Sequence, residues 1–285
     1  MTFKPLTAAA LVLTAPAFAA IAPGLSGNGE LFLNVYDSTT QISYAFDTGV
    51  SMDSFFVQGQ AETGAQLSFS VAALPLYQTF RSAAVTANLQ WSVVAIDSTG
   101  STGTGLQRLF STVRAGDAAK VGNQTNANFT NGIGTSQGGR FFDSVNGIAI
   151  KSAGQSTHIV AAADQSNYAI NGNSYSLSTD SGFGYYGKSG GLTPTYNGTA
   201  TYNAGNPLNV AASFDYVTRS GSTGTNKVLV DVFNNSLYSG AWSFDGSTLQ
   251  YSLTGAAPVP EPERLAMLLS GLGGLLLLMA RRRSA

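Results

Sequence analysis

The fold class this sequence predicts is mainly β: an antiparallel β-sandwich or jelly-roll-like domain with minor helices, followed by a C-terminal transmembrane helix. Three observations point there. Apolar residues recur with period two in short runs, the runs are separated by Gly-, Ser-, Thr- and Asn-rich turns, and a final apolar run carries no charge. Ile42, Tyr44 and Phe46 alternate with Gln41, Ser43 and Ala45, and Leu67, Phe69 and Val71 with Gln66, Ser68 and Ser70. Leu89, Trp91, Val93 and Ala95 form one stripe of a longer run that ends at Asp97. Val228, Val230 and Val232 form another, with Lys227 and Asp231 opposite. Trp242 and Phe244 lead through Asp245-Gly246, a hairpin signal, into Leu249, Tyr251 and Leu253. Trp91, Val93, Val228, Val230, Trp242 and Phe244 are therefore expected as buried strand residues of two facing sheets.

Helix signals are fewer. Leu76 to Ala87 places Leu76, Phe80, Ala83, Ala84 and Ala87 near one face, with Pro75 suited to a first turn. Thr157 to Gln165 reads as a second short helix. Lys120 to Arg140 is rich in Gly, Asn, Thr and Gln and reads as a long surface loop.

Both chain ends read as trafficking segments. Lys4, the apolar stretch Leu6 to Ala15 and Ala17-Phe18-Ala19 make a secretory signal peptide over residues 1–19. Residues 20–256 are then the extracellular domain, with nine Lys and Arg against thirteen Asp and Glu, a net charge of about −4. Such a balance carries no electrostatic footprint for nucleic acid. Without cysteine the chain uses no disulfide framework.

Residues 257–264 form a linker containing Pro260-Glu261-Pro262, whose prolines fix an extended stretch without backbone donors. Leu265 to Ala280 follows, sixteen uncharged residues. As a helix they are about 24 Å long, short of a hydrocarbon core of about 30 Å, and snorkelling arginines make up part of the deficit. Arg281, Arg282 and Arg283 then hold the 281–285 tail on the cytoplasmic side. In this order, motif, span and basic cluster resemble the PEP-CTERM sorting signal of exopolysaccharide-producing Gram-negative bacteria. Glu263-Arg264 is more charged than that pattern leads one to expect. The resemblance covers about residues 259–283. It implies that exosortase, a membrane-embedded transpeptidase-like enzyme, reads the motif after the secretion machinery has exported the chain. It implies transient anchoring in the inner membrane, then release to the cell surface or matrix, with surface polysaccharide as a partner.

The domain itself offers little chemistry. Gly182 to Ser189 satisfies both G-x-G-x-x-G and G-x-x-x-x-G-K-S. The following Gly190-Gly191-Leu192-Thr193-Pro194 cannot open the helix that either phosphate cradle requires. His158 is the only imidazole, and a triad with Asp143 or Asp164 is one arrangement on paper. Asp37, Asp47, Asp53, Asp97 and Asp143 are isolated, mostly at strand ends or turns, where Asp bends or caps the backbone. Tyr185, Tyr186, Tyr196 and Tyr202 cluster in a polar tract and are the candidate glycan contacts. The expectation is a non-enzymatic structural or interaction role without cofactor or metal. A carbohydrate-binding module using those tyrosines and a secreted hydrolase are the alternatives.

Overall fold

The computed structural model describes residues 27–61, 64–100, 103–114, 116–133, 168–170, 173–179 and 205–253. Its strands are β1 (Glu30–Asp37), β2 (Ile42–Ser51), β3 (Gln66–Ser70), β4 (Leu89–Asp97), β5 (Arg108–Val113), β6 (Tyr168–Ile170), β7 (Asn173–Leu177), β8 (Asn206–Pro207), β9 (Ala212–Thr218), β10 (Leu229–Val232), β11 (Gly240–Phe244) and β12 (Thr248–Leu253). The helices are α1 (Met52–Gln58), α2 (Pro75–Ala83), α3 (Ala118–Gly122) and α4 (Asn126–Ile133), with a 3-10 turn at Thr86–Asn88. The segments 1–19 and 257–285 and the tract Thr157–Gln165 lie outside the described residues. Among the described residues no helix is long and apolar enough to cross a membrane.

The chain is mainly β, and every described strand pairing is antiparallel. The two separate sheets expected from the sequence are replaced by one. Strands follow the order β3-β12-β11-β9-β5-β4-β1-β2-β7-β6, with β10 added to β9 and β8 to β4. The sheet curls into a half-barrel, so that strands distant in this order meet across its concave face. Phe46 of β2 lies 6.2 Å from Phe69 of β3, and Trp91 of β4 lies 6.4 Å from Phe244 of β11, centroid to centroid. A bulge helps to bend it: the β1–β2 register shifts between Leu31 and Phe32, and Gly49 takes φ 67°. The Thr48 hydroxyl donates to the Leu31 carbonyl there at 2.6 Å.

Two helices fill the concave side. Phe55 of α1 is fully buried, with Phe233 and Tyr251 both 4.9 Å away, Phe214 at 5.2 Å and Trp242 at 5.9 Å. The first three meet Phe55 edge-to-face and Trp242 stacks on it, and such pairs add to area burial by about 0.5–1.5 kcal/mol each. Pro75 opens α2 as expected. Its buried residues are Tyr77 and Phe80, whereas Ala83 and Ala87 are exposed and the helix stops before Ala84. Tyr77 decides that face, because its hydroxyl donates to the Gly246 carbonyl in the β11–β12 hairpin.

The convex face carries a second core. Phe32, Val94, Ile96, Leu109 and Val217 from the strands pack with Val121, Phe129 and Ile133. The latter three belong to α3 and α4, so the part of the Lys120–Arg140 tract that is described is helical, not a surface loop. Polar backbone capture holds it down: the Asn126 and Ala127 N–H groups donate to the Asn226 and Gly224 carbonyls. Arg219, nearly fully buried, donates to the Asn126 and Ser222 carbonyls and to the Thr130 hydroxyl.

Trp91, Val93, Trp242 and Phe244 are fully buried strand residues. The valine stripe fares differently: Val228 is buried just before β10, Val230 is half-buried and Val232 is exposed. The reason is position, since among the described strands β10 pairs only with β9 and forms an edge.

Candidate functional site

Pro260, Glu261, Pro262, Arg281, Arg282, Arg283, Tyr185, Tyr186, Tyr196, Tyr202, His158, Asp143 and Asp164 all lie outside the described residues. Several of the described carboxylates serve the backbone. Asp37 Oδ1 accepts the Thr39 N–H at 2.8 Å, and its Oδ2 accepts the Val85 N–H at 2.8 Å. Burial would raise the Asp37 pKa, but these backbone donors outweigh it and hold the carboxyl below its usual value. Asp97 Oδ1 accepts the Thr99 N–H at 2.9 Å. Asp53, in the first turn of α1, and Asp97 together clamp Arg108 at 2.8 and 3.0 Å.

Two further acids are perturbed. Burial pushes Asp47 up to about 7, the nearby Glu30 charge adds to the rise, and the Gly49 N–H opposes it. Burial pushes Asp215 up to about 6, opposed by a hydrogen bond with Ser213 and assisted by the charge of Asp231. Register places both on the convex face, along the row Asp215–Ser111–Val94–Phe32–Asp47. Four strand spacings separate them, about 19 Å, too far for both to act on one glycosidic bond. Among the described residues no group of three or more His, Cys, Asp or Glu comes together.

Among the described residues, an arrangement that could meet a ligand is aromatic and was not singled out in the sequence. Where α1 crosses the end of the curled sheet, Phe56, Gln60, Tyr216, Asp231, Val232 and Phe233 line a shallow, open depression. Its position follows from the clamp described above, because Arg108 ties the first turn of α1 to β4 and β5, and also donates to the Gly27 carbonyl at 3.0 Å. Ser51 caps the helix by accepting the Ser54 N–H. Phe55 and Phe56 are adjacent on this helix, and consecutive helical residues point about 100° apart. One ring therefore enters the core while the other stands at the rim, 40% exposed. Phe56 meets Tyr216 edge-to-face at 5.5 Å and Phe233 at 6.3 Å. Val57, Val232 and Leu237 extend the exposed apolar surface in this part of the molecule. The adjacent Phe pair was the available sequence signal.

This is a protein of the mainly-β class, built on one curled antiparallel sheet. Comparison with family models, curated proteins and solved structures finds no match to the chain.

Proposed function

We propose that the chain is an exported cell-surface or extracellular-matrix protein, processed by exosortase and associated with exopolysaccharide, with a structural or interaction role and no catalysis. The observation that carries this reading is the order of Pro260-Glu261-Pro262, the uncharged run Leu265 to Ala280 and Arg281-Arg282-Arg283 at the C-terminus. On this reading the secretion machinery takes residues 1–19. The run 265–280 spans the inner membrane as a transient helix, which the arginines hold from the cytoplasmic side. Exosortase then cuts at or near the Pro-Glu-Pro motif. The cargo is the curled antiparallel domain, whose flanks face each other across the core much as the sheets of a sandwich would. The carbohydrate-binding alternative gains support from the exposed aromatic depression beside α1.

Mass spectrometry of the mature surface form tests the processing. Peptides should stop near the motif, and recovery of Leu265 to Ala280 in mature protein would sink the assignment. Glu261→Ala should leave folding intact and keep the full-length chain in the inner membrane fraction.

A further inference from the structure

The depression beside α1 lies outside the segments read for export and cleavage, and its groups are arranged to receive a ligand. Tyr216 and Asp231 are register partners on β9 and β10, so their side chains stand side by side, with Cβ atoms about 5 Å apart. Asp231 Oδ1 accepts the Val232 N–H at 2.9 Å, and the other oxygen has no partner among the described residues. Gln60 Nε2 donates to the Phe56 carbonyl at 2.7 Å, leaving Oε1 open. The Tyr216 hydroxyl likewise has no partner among the described residues. Phe233, 1% exposed, forms the floor, and no cation is among the lining residues.

We propose that this depression binds a neutral pyranose unit of a polysaccharide. A pyranose presents an apolar C–H face, which stacks on an aromatic ring, and a rim of hydroxyls that need acceptors. Phe56 supplies the ring, the Asp231 carboxylate and Gln60 Oε1 supply acceptors, and the Tyr216 hydroxyl can donate or accept. The unpaired carboxylate repels uronic acids and other anionic sugars. The depression is open and shallow, so a sugar ring lies over it against Phe56 with its other face in solvent. The rest of the polysaccharide runs over the surface. A second copy of the protein fits less well, because a symmetric contact would bury Asp231 with no cation to meet it. The proposal rests on the preceding reading only in expecting polysaccharide around the mature protein.

The full chain is tested in a zwitterionic detergent, since sugar-based detergents would compete. Saturation-transfer NMR with cellotetraose and mannotetraose should show transfer to ring C–H protons, with tetragalacturonate giving none. Phe56→Ala should weaken binding about tenfold or more, and Asp231→Asn and Tyr216→Phe about three- to tenfold each. The last two keep the packing and guard against a folding artefact in the first. Transfer to neither neutral sugar overturns the proposal, as does binding that all three variants leave unchanged. So does a concentration-dependent dimer that Phe56→Ala abolishes in a chain that takes up no sugar. A chain that binds sugar here but is never cut at Pro-Glu-Pro supports this site and refutes the exosortase reading. A chain that is cut but binds neither sugar does the reverse.

Discussion

The chain contains two tryptophans, both fully buried, and they should respond differently to the same substitution. Trp91 donates its indole N–H to the Pro207 carbonyl at 2.9 Å, fastening β4 to the short strand β8. The indole N–H of Trp242 has no partner among the described residues and faces the aromatic core around Phe55, Phe214 and Tyr251. Replacing either residue by Phe removes the same atoms and leaves a comparable void, which costs about 1–2 kcal/mol. Trp91→Phe also loses a hydrogen bond worth about 1 kcal/mol, giving a total of about 2–3 kcal/mol. Trp242→Phe instead removes a buried, unsatisfied donor whose desolvation costs about 1–3 kcal/mol, so the two effects nearly cancel. Urea unfolding measures the difference, and each variant keeps one tryptophan as its fluorescent reporter. The unfolding free energies should differ by about 2 kcal/mol in Trp242→Phe's favour, seen as a shifted midpoint with m unchanged. If Trp242→Phe costs as much as Trp91→Phe, the account of these two indoles is wrong.

What was legible in the sequence was local. β2, β3, β4 and the β11–β12 hairpin follow their alternation because each buries one apolar stripe in the concave core, and Asp245-Gly246 supplies the turn with Gly246 at φ 94°. The closure of the sheet was not legible. It depends on a bulge at Thr48-Gly49 and on pairing of β12 with β3, which lies some 180 residues earlier. No local pattern encodes a contact of that range. α3 and α4 escaped notice because only Val121, Phe129 and Ile133 anchor them, and hydrogen bonds to the 219–227 turn do the rest. The valine stripe misled for a related reason: alternation reports that a strand has two faces, not whether anything covers them. The depression beside α1 joins residues from 56 to 233, so only its Phe55-Phe56 element was visible in advance.

The remaining predictions concern close packing, the clamp on α1 and pH. Gly240→Ala should destabilise by about 2–4 kcal/mol in urea melts, since a Cβ there meets the Tyr251 ring and comes within 2.6 Å of the Phe233 carbonyl. Arg108→Ala should loosen α1 and raise hydrogen exchange at Asp53 to Phe56 more than in the β11–β12 hairpin, because it removes both ion pairs and the bond to Gly27. A uniform rise across both regions would contradict this. The last prediction concerns Asp47, whose carboxyl is pushed from the model-peptide value of 3.8 to about 7 by burial, with Glu30 adding to the rise. The folded state therefore holds a proton that the unfolded chain has already released, and between about pH 4 and 7 the native form binds more protons. Stability from this group is present below the unfolded pKa and falls as pH rises towards 7, by an amount on the order of 4 kcal/mol. Asp47→Asn keeps a side-chain oxygen for the Gly49 N–H, which now bonds to Oδ1 at 2.8 Å, and carries no charge at any pH. The variant should match the parent near pH 4 and exceed it at pH 8, where the parent must keep a buried carboxylate ionised. A parent that outlasts the variant at pH 8 would mean the ionised Asp47 is held by a favourable partner and that burial does not set its pKa.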